Sequence, residues 1–348
     1  MNALKRDGAG PAPLAMTMGE PGGIGPEIAA AAWRALRTDP DSAFFLLADP
    51  ALFRSLTVPV AEIGAPGETP SLFTDALPVM PLESGLRVSP GEAAPENAAG
   101  VLESIRRAVE AALAGDAAGV VTNPIQKASL MAAGFEFPGH TEYLGDLCRR
   151  APMPAGRERG AVMMLAGPQL RTVPVTIHQP VRAAVDALSP ALIVGTGMIV
   201  SQALREDFGI AAPRLAVSGL NPHAGEAGRL GHEDDAVIAP AVAVLRERGV
   251  DARGPLPADT MFHEEARAGY DAALCMLHDQ ALIPAKTLAF HDAVNVTLGL
   301  PIIRTSPDHG TALGIAGRGA ARPDSLIAAL GLAREMASRR AGADALAP

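Results

Sequence analysis

Short apolar segments alternate with longer helix-like segments along most of the chain, and this alternation constrains the fold more than any other feature. Typical apolar segments are LAMTM (residues 14–18), AFFLLAD (43–49) and AALCML (272–277). Between such segments the apolar residues recur at helical spacing, as in residues 97–116. Parallel strands that are buried on both faces read as continuous apolar runs, and helices connect them. The sequence therefore predicts an α/β fold with a doubly wound, mostly parallel sheet.

Composition narrows the classes of function. The chain has 348 residues, 48% of them hydrophobic, which is enough for two domains or one large one. Its net charge is −9 and it has no basic cluster, so we expect no nucleic-acid partner. The two cysteines, Cys148 and Cys275, cannot form a disulfide framework and fit a reducing compartment. No apolar run approaches the ~20 residues of a membrane span. We expect a cytoplasmic protein without a membrane partner.

Three histidines share one context. His178 closes TVPVTIH, His223 follows RLAVSGLNP, and His278 closes AALCMLH. Ligands of open α/β sheets bind beyond the carboxyl ends of the strands, so these imidazoles could converge on one divalent metal ion. Three protein ligands would leave a coordination position open for chemistry. The alternative is that each histidine caps a turn or fills a satisfied pocket, and no HxH or HExxH spacing decides between the two.

Other motifs also allow two interpretations. GEPGGIGPEI (residues 19–28) is either an anion site at a helix N-terminus or a tight strand-to-helix turn. LIVGTGMIV (192–200) lacks the third glycine of a dinucleotide fingerprint and is predicted to be helix interior. The acidic run at residues 232–235 is predicted to begin a helix. Residues 263–265 lack the second histidine of a metalloprotease helix and are predicted to lie on the surface.

A polar group of residues could bind an anionic substrate. His140 and Thr141 precede a helix-like segment, where Thr141 is either an N-cap or a substrate contact. Lys286, Asn295 and Arg304 flank the last two strand candidates, and such side chains can clamp a phosphate or carboxylate. The alternative is that the charges are solvated on separate faces.

Several long motifs resemble one family. They are TMGEPGGIGPEI, VTNPIQK, FPGHTEYL, SGLNPHAGEAGRLG, GPLPADTMF, YDAALCMLHDQALIPAKTLAF and VNVTLGLPIIRTSPDHGTALGIAGRG. In this order, from about residue 14 to about residue 330, they resemble the PdxA family of 4-hydroxythreonine-4-phosphate dehydrogenases of vitamin B6 biosynthesis. DHGTALGIAGRGAARP (308–323) is also similar to the adenine-side loop of isocitrate and isopropylmalate dehydrogenases.

The resemblance implies a fold and an assembly. It implies a two-domain fold like that of isocitrate and isopropylmalate dehydrogenases, with a mostly parallel sheet and an active site in the interdomain cleft at a dimer interface. Residues 1–130 and 290–348 would form a cofactor-side domain, and residues 131–289 a metal, substrate and dimerisation domain. In this family one metal histidine comes from the partner subunit, so the resemblance implies a homodimer with a shared active site.

The resemblance also implies an activity. It is the NAD- or NADP-dependent oxidation of 4-phosphohydroxy-L-threonine, followed by decarboxylation to 3-amino-2-oxopropyl phosphate. One divalent metal (Zn, Mg or Co) would bind His178, His223 and His278. The other implied residues are His140, Thr141, Lys286, Asn295 and Arg304 for substrate, Lys286 and His140 for catalysis, and His309, Gly310, Thr311 and Ala312 for cofactor. Either Lys286 or a metal-bound water would accept the proton, and Asp259 would orient a ligand histidine.

Two alternatives stay open. The chain has Leu277 and Ala281 where the family often has Tyr and Gly, which leaves the choice of substrate undecided. One alternative is a related dehydrogenase of 4-phosphoerythronate, threonate 4-phosphate or a cyclic dihydrodiol. The other is a non-redox protein that binds phosphometabolites or transfers acyl groups.

Overall fold

The computed structural model describes residues 11–137 and 139–346. The described chain divides into two compact units. Unit 1 runs to Glu136 and includes Ile302–Arg334, and unit 2 comprises Phe137–Pro301 and the segment from Glu335 onward. The division expected from the family resemblance has residues 1–130 and 290–348 in one domain and residues 131–289 in the other. In the structure, residues 131–136 belong to unit 1, and residues 290–301 and the segment from Glu335 onward belong to unit 2.

Strands and helices alternate along the described residues. The strands are β1 Leu14–Thr17, β2 Phe44–Ala48, β3 Val60–Glu62, β4 Leu77–Pro81, β5 Val120–Val121, β6 Val162–Ala166, β7 Arg171–Pro174, β8 Arg214–Ser218, β9 Asp251–Leu256, β10 Ala272–Cys275, β11 Val294–Leu298 and β12 Arg304–Pro307. The helices are α1 Gly25–Leu36, α2 Thr69–Leu72, α3 Ala98–Ala114, α4 Lys127–Ala132, α5 His140–Cys148, α6 Val181–Ala187, α7 Pro190–Glu206, α8 Ala239–Glu247, α9 Glu264–Arg267, α10 His278–Ala289 and α11 Asp324–Leu346.

Unit 1 is built on parallel strands in the order β3-β4-β2-β1-β5-β12. Every residue of β2 is buried, as its apolar sequence FFLLA predicts. Helix α3 is tied to the sheet through Ser104, whose hydroxyl accepts a hydrogen bond from the N–H of Met18 (3.0 Å) and donates one to the carbonyl of Leu47 (2.6 Å). The predicted parallel α/β arrangement is therefore confirmed in this unit.

Unit 2 has strands in the order β11-β6-β7-β10-β8-β9. Strands β7, β10, β8 and β9 are parallel, whereas β6 runs antiparallel to both of its neighbours. Its core includes Leu165 of β6, Cys275 of β10 and Ala281 of α10. Burial raises the pKa of the Cys275 thiol to about 12, which agrees with the inert core cysteine that we predict. The mostly parallel α/β class is thus confirmed here too, with one antiparallel strand that the sequence does not reveal.

The glycine-rich turn between β1 and α1 brings separate backbone segments very close together. A Cβ at Gly22 would lie 1.9 Å from the carbonyl oxygen of Glu92, so only glycine fits there. Of the two interpretations of GEPGGIGPEI, this contact supports the tight turn. Residues 192–200 lie inside α7, as predicted, and the acidic run at 232–235 leads into a π-helical turn, Asp234–Ile238, and α8.

Within the described residues, no single helix has the length and apolar composition of a membrane span. Among helix pairs in the described part of the chain, α6 and α7 taken together meet those criteria, and they are bent by 89° relative to each other.

Glu103 of α3 is a buried carboxylate that holds a loop of unit 1. It accepts hydrogen bonds from the N–H groups of Glu83 and Ser84 (both 2.9 Å) and from Arg107 (3.0 Å). Burial alone would raise its pKa, but these hydrogen bonds outweigh burial and lower the pKa from 4.5 to about 2. A carboxylate whose pKa is lower in the folded state stabilises that state above its unfolded pKa.

We expect Glu103→Gln to lower the free energy of unfolding by about 2–3 kcal/mol at pH 7. The difference from the wild type should shrink as the pH falls from 4.5 toward about 2. Urea unfolding at several pH values measures this. Glu110→Gln is the control, because Glu110 forms an exposed pair with Arg106 and should cost less than about 1 kcal/mol at any pH. A pH-independent loss for Glu103→Gln would contradict the assigned pKa.

Candidate active site

The chain leaves three neighbouring parallel strands, β7, β10 and β8, at one edge of the unit 2 sheet, and side chains tie these exits together. The hydroxyl of Thr176, just after β7, donates to the carbonyl of Met276 (2.7 Å), and the N–H of Met276 donates to the hydroxyl of Ser218 in β8 (3.3 Å). Gln280 of α10 donates to the carbonyl of Gly219 (3.1 Å). The segments that carry His178, His223 and His278 therefore begin at three strand ends that hydrogen bonds join to one another.

Two of the three predicted metal histidines come together. The rings of His178 and His278 have centroids 6.2 Å apart and are inclined at 44°. They line a cavity of about 370 Å³ together with Thr176, Gln179, Pro180, Val181, Ala184, Leu277 and Asp279. Two imidazoles this close together can serve one cation, which each ring would contact at the usual ~2.1 Å metal–nitrogen distance.

His223 does not complete a trio within one copy of the chain. It lies exposed in the 3-10 turn Pro222–Gly225, on the loop that follows β8. The described part of the chain contains no group of three His, Cys, Asp or Glu side chains that could hold a metal ion. A common sheet edge is therefore not sufficient to bring all three imidazoles together in a single chain.

A carboxylate lies near Nδ1 of each paired histidine, within hydrogen-bond distance in His278 and slightly beyond it in His178. Nδ1 of His278 lies 2.7 Å from Oδ1 of Asp279, and Nδ1 of His178 lies 3.6 Å from Oε1 of Glu142. Metal-binding histidines commonly have a carboxylate on the nitrogen that does not bind the metal, and the carboxylate fixes the ring orientation. Nε2 of each ring is then the nitrogen for a cation, so the donor set fits a divalent metal.

The sequence did not identify Glu142 as part of this site. It lies in α5, far along the chain from His178, and no spacing rule relates the two. The carboxylate that the sequence nominated, Asp259, is exposed in the 3-10 turn Ala258–Thr260. The carboxylates beside the paired rings are instead Glu142 and Asp279.

Two of the histidines have an unusual backbone conformation. His178 has a φ of 51° and His223 a φ of 52°. The left-handed region costs a residue with a Cβ atom roughly 1–2 kcal/mol. Such strain persists only where the surrounding structure enforces it, and it is concentrated at functional sites.

The predicted substrate residues of unit 2 lie on three elements. His140 and Thr141 are the first residues of α5, and Lys286 lies in the last turn of α10. The N-cap of α5 is Gly139, so the alternative of Thr141 as an N-cap is wrong. Asn295 lies on β11, and its Oδ1 is buried without a hydrogen-bond partner among the described residues. That oxygen can accept a hydrogen bond from a ligand.

Arg304 begins β12 in unit 1 and is only 2% exposed. Its guanidinium donates a hydrogen bond to the hydroxyl of Thr122 (2.6 Å). Burial lowers the pKa of Arg304 to about 9, and the group remains a cation at neutral pH. The alternative that Arg304 is a solvated surface charge is therefore wrong. A buried cation of this kind is stabilised when an anion binds to it.

The predicted cofactor segment, His309–Ala312, follows β12 in unit 1. The carbonyl of Thr311 accepts a hydrogen bond from the N–H of Ile24 (3.0 Å), so this segment packs on the turn between β1 and α1. Nδ1 of His309 lies 3.0 Å from the carbonyl oxygen of Gly310.

The sequence is similar to one family of known proteins over most of its length. The family model described as "Pyridoxal phosphate biosynthetic protein PdxA" matches residues 42–333. A protein of Methylorubrum populi named 4-hydroxythreonine-4-phosphate dehydrogenase is 55% identical over 338 residues, which cover 94% of this chain and 95% of that protein. The chain belongs to the PdxA family.

Solved structures agree with this membership. A PdxA-family structure, 4-hydroxythreonine-4-phosphate dehydrogenase of Klebsiella pneumoniae, superposes with a TM-score of 0.81 at 36% identity, covering 95% of this chain and 99% of that one. A terephthalate 1,2-cis-dihydrodiol dehydrogenase of Burkholderia xenovorans gives a TM-score of 0.63 at 27% identity, covering 94% and 98%. A branched-chain phosphotransacylase of Enterococcus faecalis, at 12% identity and a TM-score of 0.53, shares the fold alone. The family expected from the sequence is thus confirmed.

Anion binding at Arg304 of this PdxA-family protein can be tested without measuring enzyme turnover. We expect inorganic phosphate to raise the melting temperature of the wild type, because a ligand at 100 times its Kd stabilises by about 2.7 kcal/mol. Arg304→Gln should abolish this rise, as measured by thermal melting over a phosphate titration.

Arg334→Gln is the matched control. It removes a guanidinium of unit 1 that is less deeply buried than that of Arg304 and that donates hydrogen bonds to the carbonyls of Ala12 (2.6 Å) and Ala43 (2.9 Å). This variant should keep the phosphate-dependent rise even if its melting temperature is lower. Equal protection of the wild type and Arg304→Gln would exclude Arg304 as an anion site.

Proposed function

We propose that this chain is a metal-dependent, NAD- or NADP-linked dehydrogenase that oxidises 4-hydroxythreonine 4-phosphate. The oxidation is followed by decarboxylation to 3-amino-2-oxopropyl phosphate, in the synthesis of pyridoxal phosphate. Membership of the PdxA family and the names of its relatives support this activity. The observation that carries it is the His178–His278 pair, with a carboxylate on Nδ1 of each ring, at the carboxyl edge of the unit 2 sheet.

His178 and His278 of one copy, with His223 of a second copy, would bind one divalent cation, Zn, Mg or Co. When bound, this cation supplies Lewis-acid stabilisation of negative charge on the substrate oxygen. The protein's part is to orient both rings: Asp279 is within hydrogen-bond distance of Nδ1 of His278, Glu142 lies 3.6 Å from Nδ1 of His178, and Nε2 of each ring would be left for the cation. Lys286, on the same helix as His278, and His140 are the proposed catalytic side chains of this chain.

The anionic groups of the substrate need cationic and amide partners. Arg304 supplies a buried cation for an anionic group, and Asn295 supplies a buried oxygen that can accept a hydrogen bond from a hydroxyl or ammonium group of the substrate. Thr141, which is buried at the start of α5, and Lys286 complete the proposed substrate contacts. Such contacts fix the reacting carbon in position before hydride transfer. Residues 309–312 would contact the adenosine half of the nicotinamide cofactor.

Exposed apolar side chains beside the histidine cavity support a homodimer. Val181 lines the cavity and is 70% exposed, and Ile283, on the outer face of α10, is 63% exposed. Contiguous exposed apolar patches are typical of surfaces that a partner covers, and these two side chains are candidates for such a patch. A second copy in this position could contribute His223. We also propose that the enzyme works in the cytoplasm, where its cysteines stay reduced.

The activity is tested with a substrate panel and metal reconstitution. With 4-hydroxythreonine 4-phosphate and NAD or NADP, we expect reduced cofactor and carbon dioxide to form together. A chelator should abolish both products, and added Zn, Mg or Co should restore them. Reduction of cofactor that survives complete removal of metal would contradict the metal-dependent reaction.

The histidine pair is tested separately. His178→Ala or His278→Ala should lower kcat/KM by more than about a hundredfold, because the loss of a metal ligand removes several kcal/mol of transition-state stabilisation. His291→Ala, a substitution of an exposed histidine after α10, should leave turnover and metal content unchanged. Measured metal stoichiometry distinguishes loss of the cation from loss of the fold.

A second candidate is a dehydrogenase of a cyclic dihydrodiol. The similarity to the terephthalate dihydrodiol dehydrogenase favours it, and so does Leu277, an apolar residue that lines the histidine cavity. The ratio of kcat/KM values for 4-hydroxythreonine 4-phosphate, 4-phosphoerythronate and a cis-dihydrodiol decides between the candidates. A higher kcat/KM for the dihydrodiol would replace the first proposal.

A further inference from the structure

The loop that carries His223, residues 219–233, has a backbone conformation that is unfavourable for several of its residues. His223, Ala224, Glu226 and Ala227 all have φ between 45° and 53°. Residues with a Cβ atom rarely adopt this conformation, and several close together are rarer still. The loop must therefore be held by contacts outside its own backbone.

Asp234 provides these contacts. Its Oδ1 accepts a hydrogen bond from the N–H of Leu220 (2.8 Å), and its Oδ2 accepts from the N–H (3.1 Å) and the Nδ2 (2.9 Å) of Asn221. The side chain of Asn221 also donates to Oε2 of Glu233 (2.8 Å). One carboxylate thus holds the two residues that precede Pro222 and His223.

The loop encloses this carboxylate completely. Asp234 is 0% exposed. A Cβ at Gly219 would lie 2.7 Å from its Oδ1, and a Cβ at Gly225 would lie 3.3 Å from its Oδ2. The backbone therefore wraps around the carboxylate on both sides of His223. Both carboxylate oxygens of Asp234 are occupied by hydrogen bonds from the loop, so Asp234 acts through the residues that it holds.

A simpler role for Asp234 would be to stabilise the start of the helix, where a negative charge interacts favourably with the helix dipole. However, Asp235, the next residue of the same π-helical turn, is exposed, whereas the buried Asp234 has both of its oxygens engaged by the loop. A favourable interaction with the helix dipole needs only a nearby charge, and Asp235 offers that equally well. The hydrogen bonds to Leu220 and Asn221 have no such explanation.

We infer that Asp234 is a positioning residue that holds the 219–233 loop in the conformation that presents His223 to a metal ion. This inference rests on the proposed metal site. Substitution of a carboxylate that orients a metal ligand typically weakens metal affinity tenfold to a hundredfold. In Asp234→Asn an amide N–H₂ faces backbone N–H donors, so at least one of the three hydrogen bonds is lost.

The test uses the full-length protein with Co²⁺ as the probe. Titration followed by visible absorption should give a Kd for Co²⁺ that is about tenfold to a hundredfold higher for Asp234→Asn than for the wild type. Hydrogen exchange of the amides of residues 220–224 should also be faster in Asp234→Asn, with or without Co²⁺. The matched control is Asp235→Asn, which should resemble the wild type in both measurements.

His223→Ala separates this inference from the metal site itself. If His223→Ala weakens Co²⁺ binding but Asp234→Asn leaves both affinity and exchange unchanged, the positioning role is wrong and the metal site stands. If His223→Ala binds Co²⁺ like the wild type, the proposed metal site is wrong and the inference fails with it.

If Asp234→Asn lacks a cooperative thermal transition, Asn221→Ala takes its place. That variant keeps the buried carboxylate but removes the side-chain link between Asp234, Glu233 and the loop. It should show the same two effects, weaker Co²⁺ binding and faster exchange, and unchanged values would overturn the inference.

Discussion

Met276 is the residue on which the geometry of the candidate site depends. Its carbonyl accepts from Thr176 beyond β7, and its N–H donates to Ser218 of β8, so the exit of the central strand is bonded to both neighbours. His278 follows two residues later as the first residue of α10 and cannot move independently of these ties. The contact between the rings of His178 and His278 follows from the strand order β7-β10-β8 and not from any feature of either histidine alone.

The histidines of the candidate site in unit 2 are positioned in two different ways. His278 is fixed by regular structure, since it begins a helix directly after a strand. His178 and His223 lie on irregular segments with positive φ, and nearby carboxylates contact them or their loops. A strained backbone is stable only when its surroundings provide the missing free energy. The acids Glu142 and Asp234 therefore belong to the site as much as the imidazoles do.

The sequence predicted much of this protein because burial leaves a pattern. The apolar runs that became β1, β2, β8 and β10 are buried strands, and the histidines that follow β7, β8 and β10 lie beyond the ends of those strands, as expected. The sequence analysis missed strands β3, β4, β9 and β12. In β9 (DARGPL) and β12 (RTSP) glycine, proline and charged residues replace the apolar run, and β3 (VAE) is only three residues long. The burial of Arg304 and the proximity of Glu142 to His178 arise from tertiary packing, and no local spacing encodes them.

The two departures from the family pattern have different physical consequences. Ala281 is fully buried in the core of unit 2, so its methyl group is a packing feature away from solvent. Leu277 is the N-cap residue of α10 and lines the histidine cavity. An apolar side chain there offers no hydrogen bond to a substrate, whereas a tyrosine hydroxyl could. Discrimination by a site is strong when its polar groups would be left unpaired by the wrong ligand, and weak when the lining is apolar. The chemistry at position 277 is therefore where this chain's choice between a phosphorylated hydroxy acid and a dihydrodiol can differ from that of its relatives.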